Sequence, residues 1–140
     1  MKKALILLLI AVFSLLSCGG KEVKKVTDES KTAQEAIALA EGIKEAYLKR
    51  DLSAIEKGTT KEGYRELLGA IKSFDKAELT FSSKWVEIEE TSVSVRIAWS
   101  GEWVVGGQTT EERGAALFIF EGRPLKLSRI LRANPFRQPE

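Results

Sequence analysis

Histidine is absent from this chain and cysteine occurs once, at Cys18, so few residues are left that could do chemistry. Without an imidazole, Ser-His-Asp and Cys-His catalysis are excluded, as are histidine-ligated zinc, copper and iron sites. The lone thiol of Cys18 has no partner for an internal disulfide. The sharpest remaining side chain is Arg129, flanked by Leu127 and Leu131 in an alternating run that puts it on an apolar sheet face. A guanidinium buried there must have a partner. That partner is a helix glutamate, a set of helix-end carbonyls, or the carboxylate or phosphate of a ligand gripped by the planar fork. Trp99 and Trp103, four apart on one strand face, would line such a pocket with it, as would Tyr47 from a helix face. The same aromatic residues fit an ordinary core equally well. Acids are poorly placed for catalysis: Asp28, Asp51 and Asp75 fall at helix starts or between elements, and Glu87 and Glu102 are strand carboxylates of the kind usually found on surfaces. No catalytic residue, metal ligand or cofactor-binding motif is assigned.

These side chains need elements to hold them. Ala36, Leu39, Ala40, Ile43, Ala46 and Tyr47 recur at helical spacing and predict an amphipathic helix from Asp28 or Thr32 to Arg50, with Thr32-x-x-Glu35 as a capping box. Asp51 caps a short second helix, Leu52 to Lys57, ended by Gly58. Thr59-x-x-Glu62 opens a third, with Tyr64, Leu67, Leu68 and Ile71 on one side. From Ala77 the period becomes two, and four antiparallel strands are predicted: 77–89, 92–105, 108–121 and 125–132. Gly106-Gly107 and Glu121-Gly122-Arg123-Pro124 are the turns.

The turns fix a register. Val105 opposite Gln108 sets Val93 against Phe120, Val95 against Phe118, Ile97 against Ala116 and Trp99 against Gly114. Glu121 opposite Pro124 sets Phe118 against Leu127 and Ala116 against Arg129. Leu79 and Phe81 have the opposite parity to Val86 and Ile88, which a bulge near Ser82-Ser83-Lys84 would reconcile. With that bulge Trp85 faces outward near Arg96 as a cation–π pair; without it Trp85 enters the core near Val95. The other face mixes Ala115, Leu117, Ile119 and Ile130 with polar residues and is apolar enough for a dimer surface. Ala133 to Glu140, with two prolines and no period, is expected to be a loose end.

The amino terminus carries an address. Met1-Lys2-Lys3 precedes an apolar run from Ala4 to Leu16, too short to span a bilayer comfortably and of signal-peptide length. Leu15-Leu16-Ser17-Cys18 resembles the bacterial lipobox. That resemblance implies cleavage before Cys18, a diacylglyceryl group on its thiol and an acylated (palmitate-type) amino terminus; several acyl chains anchor a protein stably where one does not. Gly19, where an aspartate would retain a Gram-negative lipoprotein in the inner membrane, leans toward the outer membrane. The expected organisation is signal peptide 1–17, lipidated tether 18–27, one domain 28–136 and a tail 137–140. Lys2 and Lys3 leave with the signal, so 20 of the 22 basic residues remain against 20 acidic ones. A neutral chain lacks the basic footprint of a nucleic-acid binder.

Helices followed by a curved four-stranded meander make an α+β layout. With the lipobox, Gly101 midway along a long strand, and a last strand running into Asn134-Pro135-Phe136, the chain resembles small bacterial lipoproteins with a nuclear transport factor two-like (polyketide cyclase-like) domain. The resemblance implies a cone: helices over the concave face of the sheet, a pocket between them, and an outer face that often pairs with a second copy. Enzymes of that superfamily use an acid with a tyrosine, or a histidine with a carboxylate, and neither pattern carries over. Three functions follow. The first is a non-enzymatic envelope lipoprotein that binds a partner protein or small amphipathic ligand as a homodimer. The second is a cyclase-, isomerase- or dehydratase-type enzyme with a polar pocket. The third is a spacer or assembly subunit with no pocket. The first is favoured.

Overall fold

The computed structural model describes residues 25–140. The predicted signal peptide, Cys18 and most of the tether lie outside the described residues. Helix α1 spans Asp28–Leu48, α2 Leu52–Gly58 and α3 Lys61–Ala70. Strands β1 (Lys76–Ile88), β2 (Ser92–Val105), β3 (Gln108–Glu121) and β4 (Lys126–Arg132) form one antiparallel sheet in chain order. The predicted α+β meander is therefore the observed one. No helix among the described residues is long and apolar enough to cross a membrane.

Helices α1 and α2 start at the expected Asp28 and Leu52, and α3 starts at Lys61. Two of the caps are threonines other than those expected. Thr27, not Thr32, caps α1, its hydroxyl accepting from Ser30 N at 3.1 Å, while Thr32 sits inside the helix and donates to Asp28 O. Thr60, not Thr59, caps α3 by accepting from Gly63 N. Thr59 is buried instead, donates to Ile55 O at 2.9 Å, and bridges to Leu127 of β4. Asp51 caps α2 as predicted, accepting from Ala54 N.

Helix α1 buries Ala36, Ala40, Ile43, Ala46 and Tyr47, and the small alanines let it lie close to the sheet. Helix α3 docks on β4 through Gly63, Leu67 and Ala70. A Cβ at Gly63 would run into the carbonyl oxygen of Leu127, so the helix reaches that strand only because glycine stands there. The predicted Tyr64, Leu67, Leu68, Ile71 stripe is rotated by this contact, and Leu68 faces solvent.

The β2–β3 register is the predicted one, including Trp99 opposite Gly114 and Val105 opposite Gln108. Gly106 and Gly107 both take positive φ, 57° and 79°, as a two-residue hairpin turn requires. The β1 bulge is present between Ser83 and Trp85, and Trp85 pairs with Arg96 on the outer face, 48% exposed. The cation–π contacts among the described residues lie elsewhere, with Lys44 over Phe81 and Arg50 over Phe74.

Two expectations are corrected. The β3–β4 pairs predicted from the turn, Phe118 with Leu127 and Ala116 with Arg129, are not formed; Phe118 faces Ile130 and Ala116 faces Arg132. A second register shift, between Ile119 and Phe120 on β3, leaves Ser128 of β4 unpaired between Phe120↔Leu127 and Ile119↔Arg129. It turns both Leu127 and Ile130 inward, and Arg129 outward. The segment after β4 is no loose end either. Asn134 accepts from Phe136 N, starting a 3-10 turn at Pro135–Arg137 that inserts Phe136, fully buried, among Tyr47, Phe81 and Phe118. Gln138 is buried as well, and Lys72 Nζ donates to Pro139 O at 2.9 Å, so the predicted 137–140 tail is part of the domain.

Candidate functional site

Three of the four predicted pocket residues meet inside the cone. Trp103, on the inner face of β2, donates from Nε1 to the hydroxyl of Tyr47 on α1 at 2.8 Å. Trp99 lies edge-on to Trp103, ring centroids 6.3 Å apart, and donates from its own Nε1 to Ala133 O at 2.8 Å. The sheet accommodates both indoles with glycine: a Cβ at Gly114 would stand 2.8 Å from Trp99 Cζ2, and one at Gly101 would enter the Trp103 ring. Burial pushes the Tyr47 phenol above its ordinary pKa, and the hydrogen bond from Trp103 pulls part of the way back. Around them Phe74, Phe81, Phe118 and Phe136 close the interior. Every buried side-chain polar atom among the described residues has a hydrogen-bond partner. The cone is thus a packed core, and the polar groups that meet at its centre, a phenol and two indoles, include no acid or base that titrates near neutral pH.

Arg129 does not join them. Its side chain is 57% exposed on the outer face and lies 4.0 Å from the Glu121 carboxylate. Nothing local signals the bulge at Ser128 that moves it, because a serine after Leu127 reads as the outward position of a regular strand.

Among the described residues, space for a ligand is found outside the cone. A cleft of about 330 Å³ opens between the end of α1, α2 and the segment from α3 to β1, lined by Tyr47, Arg50, Leu52, Ile55, Ile71, Lys72, Ser73 and Phe74. Arg50 takes a positive φ of 58° just past α1. This aims its guanidinium across the cleft wall, where Nη2 donates to the carbonyls of Phe74 and Asp75 and the plane stacks 4.9 Å from the Phe74 centroid. Asp75 then ties the segment to the sheet, its N donating to Val104 O and its Oδ2 accepting from Gly106 N, both at 2.8 Å. Sequence reasoning missed this site. Its one legible sign was the paired Arg50-Asp51 and Phe74-Asp75 at element boundaries.

The outer sheet face is polarised along the strands. Glu78, Glu102 and Glu111 stand directly opposite one another across β1, β2 and β3. They edge an open depression of about 580 Å³, and Lys76 pairs with Glu78 at 3.1 Å. Farther along, Trp85, Arg96, Leu117 and Leu131 form a row across all four strands, with Ile119 and Arg129 beside it. Among the described residues no group of three acidic, cysteine or histidine side chains is placed to hold a metal.

No protein-family model matches the chain, and no curated protein matches it. Solved structures do resemble it. A nuclear transport factor 2 (NTF2-like) superfamily protein from Salmonella enterica serovar Typhimurium aligns with a TM-score of 0.67 at 14% identity, over 76% of this chain and 93% of that one. A conserved protein from Planctomyces limnophilus aligns at 0.55 and 14% identity, over 75% and 98%. A protein of unknown function from Mycobacterium tuberculosis aligns at 0.53 and 10%, over 71% and 72%. At these identities the likeness establishes the fold: helices on a curved four-stranded sheet, in the manner of the nuclear transport factor 2-like proteins.

Proposed function

We propose that this protein is a membrane-anchored envelope lipoprotein whose domain is a non-enzymatic binding and interaction module. The observation that carries the second half is the filled cone. Where the fold leaves room for substrate, this chain places Trp103, Tyr47, Phe118 and Phe136, all essentially without solvent exposure. The first half rests on Lys2-Lys3, the apolar run to Leu16 and the lipobox-like Leu15-Leu16-Ser17-Cys18. In a Gram-negative envelope, Gly19 favours the outer membrane.

The module works as a pair, through the outer face of the sheet. Strands of 14 residues make that face roughly 45 Å long, and four strands make it about 19 Å wide. Its area is on the order of 800 Å², what each partner of a standard interface contributes. Exposed Trp85 and Leu131 supply an apolar centre with Leu117 and Ile119, in rows that also carry Arg96 and Arg129 and lie apart from the glutamate row.

The test is extraction of the full chain from the membranes of a bacterial host. Mass spectrometry should find the amino terminus at Cys18 carrying acyl chains, and Cys18→Ala should release the protein from the membrane. An unmodified Cys18 in an otherwise processed chain would overturn the anchor. Native mass of the extracted protein should be that of a dimer, and Leu131→Lys should make it monomeric; a parent monomer would overturn the sheet-face pairing.

A further inference from the structure

We infer that the cleft beside α2 binds a single-chain amphipathic anion of the fatty-carboxylate type. This deepens the binding-module reading and rests on it for one point, that the ligand is held rather than transformed. The cleft has two chemically distinct parts. Tyr47, Ile55, Ile71 and Phe74 give it an apolar floor, extended toward solvent by Leu52, which is 46% exposed at the first position of α2. A leucine exposed there does nothing for the core, but it lengthens an apolar track. The charged residues in the lining are Arg50 and Lys72, both cations. The two nearest carboxylates in sequence are already engaged by backbone: Asp51 accepts from Ala54 N and Asp75 from Gly106 N.

Both cations are fixed before any ligand arrives. Arg50 is held through Nη2 and its stack on Phe74, leaving Nε and Nη1 as donors for a planar anion. Lys72 is held by the Pro139 carbonyl with two further N–H groups to give. Preorganised donors lower the ordering cost of binding. At about 330 Å³ the cleft sits at the small end of ligand sites, roughly 300–1,000 Å³, which suits one chain and one head group and excludes a folded partner. Charge and shape together therefore select an anion with a short apolar tail.

The experiment titrates the full chain, held in lipid nanodiscs, with ¹³C-octanoate followed by NMR. Partition into the bilayer is the same for parent and variants, so their difference isolates the cleft. Two exposed positions are changed separately: Leu52→Asp, where an acid at the start of a helix is well tolerated, and Lys72→Glu. The parent should show a saturable component that octan-1-ol and octylammonium fail to displace. Each variant should weaken it about tenfold, with an unchanged circular dichroism melt. No saturable component, equal binding by the variants, or displacement by octan-1-ol at the same concentration would each overturn the proposal. The anchor and the sheet pairing are scored on acylation and native mass, so an empty cleft leaves them standing.

Discussion

Trp103 and Tyr47 are joined by a 2.8 Å hydrogen bond, indole to phenol, at the buried centre of the domain. This one contact links β2 to α1. In Tyr47→Phe the indole N–H would remain buried with no acceptor, a loss of about 1–3 kcal/mol. Urea unfolding followed by tryptophan fluorescence reads it directly.

The same pair sets an alkaline limit. Burial raises the Tyr47 pKa above 10.0, with the Trp103 bond opposing. The folded state holds the phenolic proton more tightly than the unfolded chain. Its contribution is therefore intact below the ordinary tyrosine pKa and is lost as pH rises through that value toward the folded one. Urea midpoints of the parent should fall from about pH 10 upward, while Tyr47→Phe, lower throughout, should fall less steeply over the same interval.

Two glycines in helices should respond oppositely to alanine. At Gly63 the new methyl meets the Leu127 carbonyl, so α3 must lift from β4, costing about 1–3 kcal/mol. At Gly42, with nothing within 4 Å, alanine should stabilise α1 by about 0.5–1 kcal/mol. Thermal melts of the two variants should lie on either side of the parent.

Phe136→Ala should cost about 3–5 kcal/mol, the range for emptying a fully buried aromatic site. A loss under about 1 kcal/mol by urea unfolding would mean that the ring is dispensable to the core.

Trp85 is the one tryptophan turned to solvent; Trp99 and Trp103 are buried. Acrylamide should quench a distinct fraction of the emission that disappears in Trp85→Phe. Because Trp85 lies on the proposed pairing face, that fraction should shrink as protein concentration rises through the dimerisation range.

Much of this fold was legible because its turns are explicit. Gly106-Gly107 fixes the β2–β3 ladder from end to end, and the parity conflict between Phe81 and Val86 exposes the β1 bulge. What escaped was set by tertiary contact. Whether Thr59 or Thr60 caps α3 depends on the bridge to Leu127, a residue far along the chain. Arg129 was placed inward because nothing local distinguishes the bulged Ser128 from a regularly paired one. The last segment shows no periodicity because it is a single inserted ring on an asparagine cap, too short to have a period. Of the residues expected to line a pocket, Tyr47, Trp99 and Trp103 come together, but they fill the space themselves. The cleft depends on Arg50 crossing to the α3–β1 segment, a contact between residues 24 and 25 positions apart.

The Phe136 insertion also gives the domain a latch. The ring that completes the contacts of Tyr47, Phe81 and Phe118 stands beyond the last strand of the sheet. Helix α1 and strands β1 and β3 therefore share a centre that none of them supplies, and the short turn at Pro135–Arg137 locks the two layers together.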